Sequence, residues 1–272
     1  MPQLTVPGLS PRADVLTITP DLAKEWLDRN VHNRPIRKNK VVNYARDMQA
    51  NNWALNGEAI KFAVDGVLLD GQHRLLAIVA AGVPVQMLVV TGLANDTQTT
   101  MDSGVKRTTG DALGLEGEKN SQMLAAVLKK IWMWEQGDLK FSANYTPSTA
   151  ECAALLAERP EIHRSVEVAI HVRSTFRAMP PSVTGTAHYV LSKVALDDAV
   201  WFFARVGDGA LSEPGHPILA LRARVTNEAL SGAAIQQHQR MAYLIRAWNA
   251  VREGRSLARI QQGPKDPMPL PK

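Results

Sequence analysis

Between Ile60 and Thr91 the apolar residues change from strand spacing to helical spacing and back, and few folds accommodate that order. Ile60 to Val64 and Val67 to Leu69 flank Asp65-Gly66, a dipeptide favoured in two-residue hairpin turns because both central residues take positive φ. After Asp70-Gly71 the run QHRLLAIVAAG has helical spacing and stops on Gly82 as a C-cap. Val85 to Thr91 (VQMLVVT) then reads as a buried strand. The expected order is strand, turn, strand, helix, strand. Two helices precede it. Thr19-Pro20 supplies an N-cap and a first-turn proline for one ending near Arg29, and a second runs from about Lys38 to Asn51 with Val41, Val42, Tyr44, Ala45 and Met48 at helical spacing.

The rest of the chain reads differently. NDTQTTMDSGVKRTTGDALGL, from Asn95, predicts a short helix, a glycine turn at Gly104 and another short helix. Beyond Asn120 no strand pattern occurs, and helices are expected at about 120–136, 147–158, 160–174, 183–205, 217–230 and 232–253. With 272 residues against a typical domain of about 150, two domains are the working expectation. The predicted class is α+β: a small α/β domain over 16–117, then an α-helical domain over 118–255. Residues 1–15 are expected to be flexible, and 256–272, with four prolines in QQGPKDPMPLPK, a disordered tail.

A hydrophobic content of 45% with 21% charged residues is that of an ordinary globular protein. No apolar run reaches the roughly 18 residues of a membrane span, and MPQLTVPGLSPRAD lacks the features of a signal peptide, so no membrane partner and a cytoplasmic location are expected. The single cysteine, Cys152, excludes an internal disulfide framework and reads as a buried thiol on the apolar face of ECAALLA. His163, His171, His188, His216 and His238 show no metal-ligand spacing. The tryptophans Trp53, Trp132, Trp134, Trp201 and Trp248 read as packing residues. A net charge of +5 permits contact with nucleotides or nucleic acid. Basic residues crowd into Arg34-Pro35-Ile36-Arg37-Lys38-Asn39-Lys40 and into Arg240, Arg246, Arg252, Arg255 and Arg259, the latter readable as the solvated face of the last helix.

The chemistry-bearing cluster is Asp70-Gly71-Gln72-His73-Arg74. It spans a strand end and the first turn of a helix, where unpaired backbone N–H groups and the helix dipole favour an anion. Gly71 allows close approach, Arg74 offers a planar fork to phosphate, His73 adds a donor, and Asp70 can hold Mg²⁺ or accept a proton. The competing reading is a common acidic turn ahead of an amphipathic helix. Glu58 is either a general base near the same loop or a solvated strand-edge carboxylate. Asp102, Ser103, Lys106, Arg107 and Thr108 form a second polar cluster, in which Lys106-Arg107 can close over a triphosphate or simply link two helices.

DGQHRL resembles the DGQHR signature of a family linked to DNA sulfur modification. It is similar, too, to the DGHHR motif of ParB-like free-serine kinases and, more distantly, to the glycine-arginine phosphate motif of ParB partition proteins and the FGGCHR motif of sulfiredoxin. NRPIRKNKVVNYARDMQANNWALNGEAIKF, DGVLLDGQHRLLAIVAAGVPVQMLVV and TMDSGVKRTTGDAL follow the order of ParB-like proteins of phage and actinobacterial type, over roughly residues 15–115. The resemblance implies a ParB/sulfiredoxin-like domain in which Gly71, Gln72, His73 and Arg74 bind the phosphates of an NTP, ATP or CTP, with Asp70 beside them, and Mg²⁺. Arg34 and Arg37 stand about where ParB proteins carry an Asn-Pro-Arg-Lys element, although Asn33-Arg34-Pro35-Ile36-Arg37 differs from it. Gln72 occupies the position of the sulfiredoxin cysteine, which excludes sulfinic-acid reduction.

Three functions follow from the resemblance: a nucleotide-binding, DNA-associated protein, with a homodimer as a family-level expectation; an ATP- or ADP-dependent phosphotransferase with Glu58 or Asp70 as base; and, last, a nuclease, for which too few carboxylates are on offer.

Overall fold

The computed structural model describes residues 11–31, 33, 35–101, 107–142, 145–232, 234–263 and 266–272. The chain divides into two compact units, residues 1–106 and 107–272. The structure is mixed α and β, as expected, with the described strands all in the first unit. Among the described residues no helix is long and apolar enough to cross a membrane.

The first unit begins with β1 (Arg12–Ile18), followed by α1 (Pro20–Leu27) and α2 (Lys38–Gln49). Thr19 caps α1 by accepting from the Leu22 N–H at 3.2 Å, and Pro20, which has no N–H to leave unpaired, opens the first turn. Next come β2 (Ala59–Ala63), β3 (Leu68–Asp70), α3 (Gln72–Ala81) and β4 (Val85–Leu93). The sheet order is β1-β4-β2-β3, with β2 parallel to β4 and the other two pairings antiparallel. Ile18, Ile60, Phe62, Leu68, Leu75, Ile78 and Met87 form its core, with Trp26 edge-on to Phe62 at 5.0 Å.

Two expectations about this unit change. Residues 12–15 are not part of a flexible lead but the first strand, paired from Arg12↔Thr91 to Ile18↔Val85. The β2–β3 hairpin also has a different turn. Only Gly66 takes positive φ (85°), the Gly66 N–H donates to the Ala63 carbonyl at 3.0 Å and the Ala63 N–H to the Val67 carbonyl at 2.9 Å. That is a three-residue loop closed by a left-handed glycine, so Asp65 is spared the positive φ that a two-residue turn demands.

The second unit is helical: α4 (Thr109–Leu115), α5 (Ser121–Glu135), α6 (Thr149–Glu158), α7 (Ile162–Thr175), α8 (Pro181–Ser192), α9 (Leu196–Asp208), α10 (Pro217–Ser231) and α11 (Gln237–Arg252). Residues 107–117, expected with the first domain, pack here. Thr108 and Asp111 form a capping box, Gln122 donates to Asp111 at 2.9 Å, and Leu113 is buried in the helical core. The single helix expected over 183–205 is two. Ala195 turns to an extended backbone, and Asp197 and Asp198 then supply the acidic first turn of α9. Gly185 lets α8 approach its neighbours closely, since a Cβ there would meet Val127 Cγ2 at 2.8 Å.

The C-terminal segment, expected as a disordered tail, folds back along α11 over its described residues. The Trp248 indole donates to the Lys272 carbonyl at 2.9 Å, Asn249 donates to the Leu270 carbonyl and accepts from the Lys272 N–H, and Ile260 is buried. Its prolines lack N–H groups to satisfy, and its carbonyls find side-chain donors on the helix.

Candidate functional site

Asp70 ends β3 opposite Lys61 of β2, and Gly71 then takes φ 110° as the N-cap of α3. An added Cβ on Gly71 would sit 3.1 Å from Ile60, so the backbone conformation calls for glycine and the contact leaves little room for a side chain. One Asp70 oxygen accepts from the Gly71 N–H at 2.7 Å; the other receives Arg74 Nη2 at 3.1 Å and lies 3.7 Å from Lys61 Nζ.

The three side chains that follow are polar, successive and buried: Gln72 is 3% exposed, His73 4% and Arg74 7%. Buried polar groups need partners, and each has them. Arg74 Nη2 also donates to the Ala59 carbonyl at 2.6 Å, and Nη1 to Glu58 Oε2 at 3.1 Å, leaving Nε buried without a hydrogen-bond partner. The two carboxylates singled out in the sequence, Asp70 and Glu58, thus converge on one guanidinium. Glu58 remains 60% exposed at its side chain, whereas Asp70 is largely enclosed. The fork expected to reach a phosphate is spent inside the fold.

Gln72 and His73 reach the other way, to the loop between α1 and α2. Gln72 Oε1 accepts from Asn30 Nδ2 at 3.2 Å, and His73 Nε2 accepts from the Arg37 backbone N–H at 3.0 Å. Asn33 adds bonds to Asn30 Oδ1 (2.6 Å) and the Leu68 carbonyl (2.9 Å), while the Leu68 N–H donates to the Arg29 carbonyl at 3.0 Å. Arg37 is the N-cap of α2 and its side chain makes no cap hydrogen bond. The contact therefore joins the starts of α2 and α3. Neither helix has an acidic residue in its first turn, and Arg37, Lys38 and Asn39 are exposed there, with Lys40 lying 5.1 Å from the Tyr44 ring. Arg37 and Lys38 are thus exposed at the positive end of α2, while Lys40 turns along the helix to Tyr44 and the Asp70 carboxylate stands at the start of α3.

Arg34 and Lys106, like Asp102 and Ser103, lie outside the described residues. Arg107 is exposed and belongs to the second unit, one residue before the cap of α4. Sequence reasoning passed over Asn30, Asn33 and Lys61. The asparagines are the kind of side chain that ties loops to backbone, but their spacing carries no sign of the helix they hold. Among the described residues no group of three or more histidine, cysteine or acidic side chains gathers to hold a metal ion. With the Asp70 carboxylate committed to protein donors, a magnesium ion here would draw its ligands mainly from phosphate and water.

Set beside known proteins, the chain matches no protein-family model, no curated protein and no solved structure.

Proposed function

We propose that the first unit is a ParB/sulfiredoxin-like domain that binds the phosphates of an NTP where the starts of α2 and α3 meet, and that the protein is DNA-associated. One contact carries this reading: the 3.0 Å bond from the Arg37 N–H to His73, which joins the starts of two helices, with Arg37 and Lys38 exposed at the start of α2. Helix N-termini without acidic first turns attract phosphate, and cations beside them strengthen that attraction. In this reading Gln72, His73 and Arg74 build the loop rather than touch the ligand, Gly71 permits the turn, and Mg²⁺ arrives with the nucleotide.

Calorimetric titration with ATP, ADP, CTP and GTP, each with Mg²⁺ and with or without duplex DNA, tests the reading. Binding that falls about tenfold or more in Lys38→Gln/Lys40→Gln supports it, on the scale of a lost charged hydrogen bond. Absence of binding to every nucleotide rejects it. Association with DNA through phosphates should weaken steeply with salt.

Phosphotransfer to a hydroxyl is the second reading, favoured by the accessibility of Glu58, a carboxylate 3.1 Å from Arg74 that solvent still reaches. Transfer of phosphate from ATP or ADP, abolished in Glu58→Gln with nucleotide affinity kept, would bring it ahead.

A further inference from the structure

The basic residues late in the chain do not all solvate one helix face. Arg246 of α11 and Arg255, Arg259 and Lys272 of the returning segment line one cleft of about 610 Å³ in the second unit. What holds its arginines matters more than their number. Arg246 Nε donates to Gln262 Oε1 at 2.6 Å, and the buried Gln262 is itself fixed through Nε2 to the carbonyls of Asp266 (3.2 Å) and Pro267 (3.1 Å). Arg259 gives Nε and Nη2 to Gln261, at 2.8 and 3.0 Å, once that amide turns its oxygen to face them. Both guanidiniums are thus oriented by neutral amides, and among the described residues neither forms an ion pair.

The nearby carboxylates are otherwise engaged. Glu253 pairs with Arg255 at 2.5 Å and Lys272 at 2.7 Å, and Asp266 accepts from the Gly263 N–H at 2.7 Å. Leu257, Ile260 and Leu270 supply apolar wall beside the cations.

We infer that this cleft is a binding site for a small organic phosphate, its phosphate gripped by the Arg246 and Arg259 forks and its organic body lying on the apolar wall. With Nε fixed, Arg246 presents both terminal nitrogens in a set direction, and Arg259, which shares one Nη2 proton with Gln261, presents Nη1 and the other Nη2 proton; both suit capture of phosphate oxygens. The cleft, about 610 Å³ between helix and returning segment, has room for a compact ligand. The site lies wholly in the second unit and does not depend on nucleotide binding by the first.

The test is arginine modification of the full chain by phenylglyoxal, mapped by peptide mass spectrometry, with inorganic pyrophosphate or sodium chloride at equal ionic strength. Pyrophosphate should protect Arg246 and Arg259 where chloride does not. Calorimetric affinity for pyrophosphate at that site should fall about tenfold or more in Arg246→Gln/Arg259→Gln. It should also fall in Gln261→Glu, which keeps both arginines but gives Arg259 a carboxylate on the exposed side. Equal protection by chloride, or no protection by pyrophosphate, would overturn the proposal.

Discussion

The backbone N–H of Arg37 donates to Nε2 of His73 across 36 residues of sequence. The imidazole accepts through Nε2, so its own proton sits on Nδ1, and a buried side chain in one helix caps the orientation of another. His73→Ala should cost about 1–3 kcal/mol, the range for stranding a buried hydrogen-bond partner. Limited proteolysis should then cut within residues 29–37 faster than in the wild type. His73→Gln, which restores an acceptor, should recover part of the loss; identical cleavage in all three proteins would disprove the role.

Arg74 makes a different prediction from the one its motif invites. Its guanidinium joins Asp70, Glu58 and the Ala59 carbonyl, so Arg74→Met leaves the largely enclosed Asp70 carboxylate with only the more distant Lys61 as a cation. Urea denaturation should show a loss of about 3 kcal/mol. Glu58→Gln removes only the exposed arm of the network and should cost less than about 1 kcal/mol. Comparable losses in the two variants would contradict this division.

Two left-handed glycines separate conformation from contact. Gly57, at φ 84°, has open space where a Cβ would go, whereas the same atom on Gly71, at φ 110°, meets Ile60 at 3.1 Å. Gly57→Ala should cost about 1 kcal/mol through φ alone, and Gly71→Ala distinctly more. Thermal unfolding of both variants decides the point.

His188 makes the second unit acid-sensitive. It is buried in α8, hydrogen-bonded to Ser165 at 2.9 Å, and burial together with the Arg164 charge lowers its pKa to about 4. The unfolded chain, titrating near 6.5, binds this proton first, so the stabilisation is complete above that pH and is lost as pH falls toward 4. The loss should reach about 3 kcal/mol. His163 acts in the opposite sense: its hydrogen bonds to Glu118 and the Pro160 carbonyl raise its pKa, so its smaller contribution disappears as pH rises through the raised value. Urea midpoints measured from pH 7 to 4 should fall, and His188→Gln should flatten that slope.

Cys152 is fully buried in α6, and desolvation pushes its thiol up to about 12. Iodoacetamide at pH 8 should leave it unmodified in the native protein and alkylate it in urea. Rapid native labelling would refute the burial.

Much of the first unit is legible where local chemistry and tertiary structure agree. Asp65-Gly66 marks a hairpin, Gly82 ends α3, and Thr19-Pro20 begins α1, because each residue acts on its own backbone. What escapes depends on partners distant in sequence. Arg12 to Ile18 has no turn signal or apolar alternation facing a core, and becomes a strand only by pairing with β4. Gln72 and His73 look solvent-facing at a helix start until the asparagine-containing loop meets them, and Arg74 until Asp70, Glu58 and the Ala59 carbonyl take up its guanidinium. The proline-rich end looks disordered by composition, yet Trp248 and Asn249 hold it with bonds that no local pattern announces. The division between α8 and α9 falls at Lys193 to Ala195, without glycine or proline to mark it.

The pairing of β1 with β4 joins residues 67 to 79 positions apart, and β4 in turn runs parallel to β2. A loop of that length must close before β1 gains any of its ladder hydrogen bonds, which is the condition for slow folding. During synthesis the first strand emerges long before its partner exists, with Val15 and Leu16 exposed even in the finished sheet. The first unit can therefore complete its sheet only after β4 has left the ribosome, and until then its leading strand is available to chaperones or to misplaced pairing.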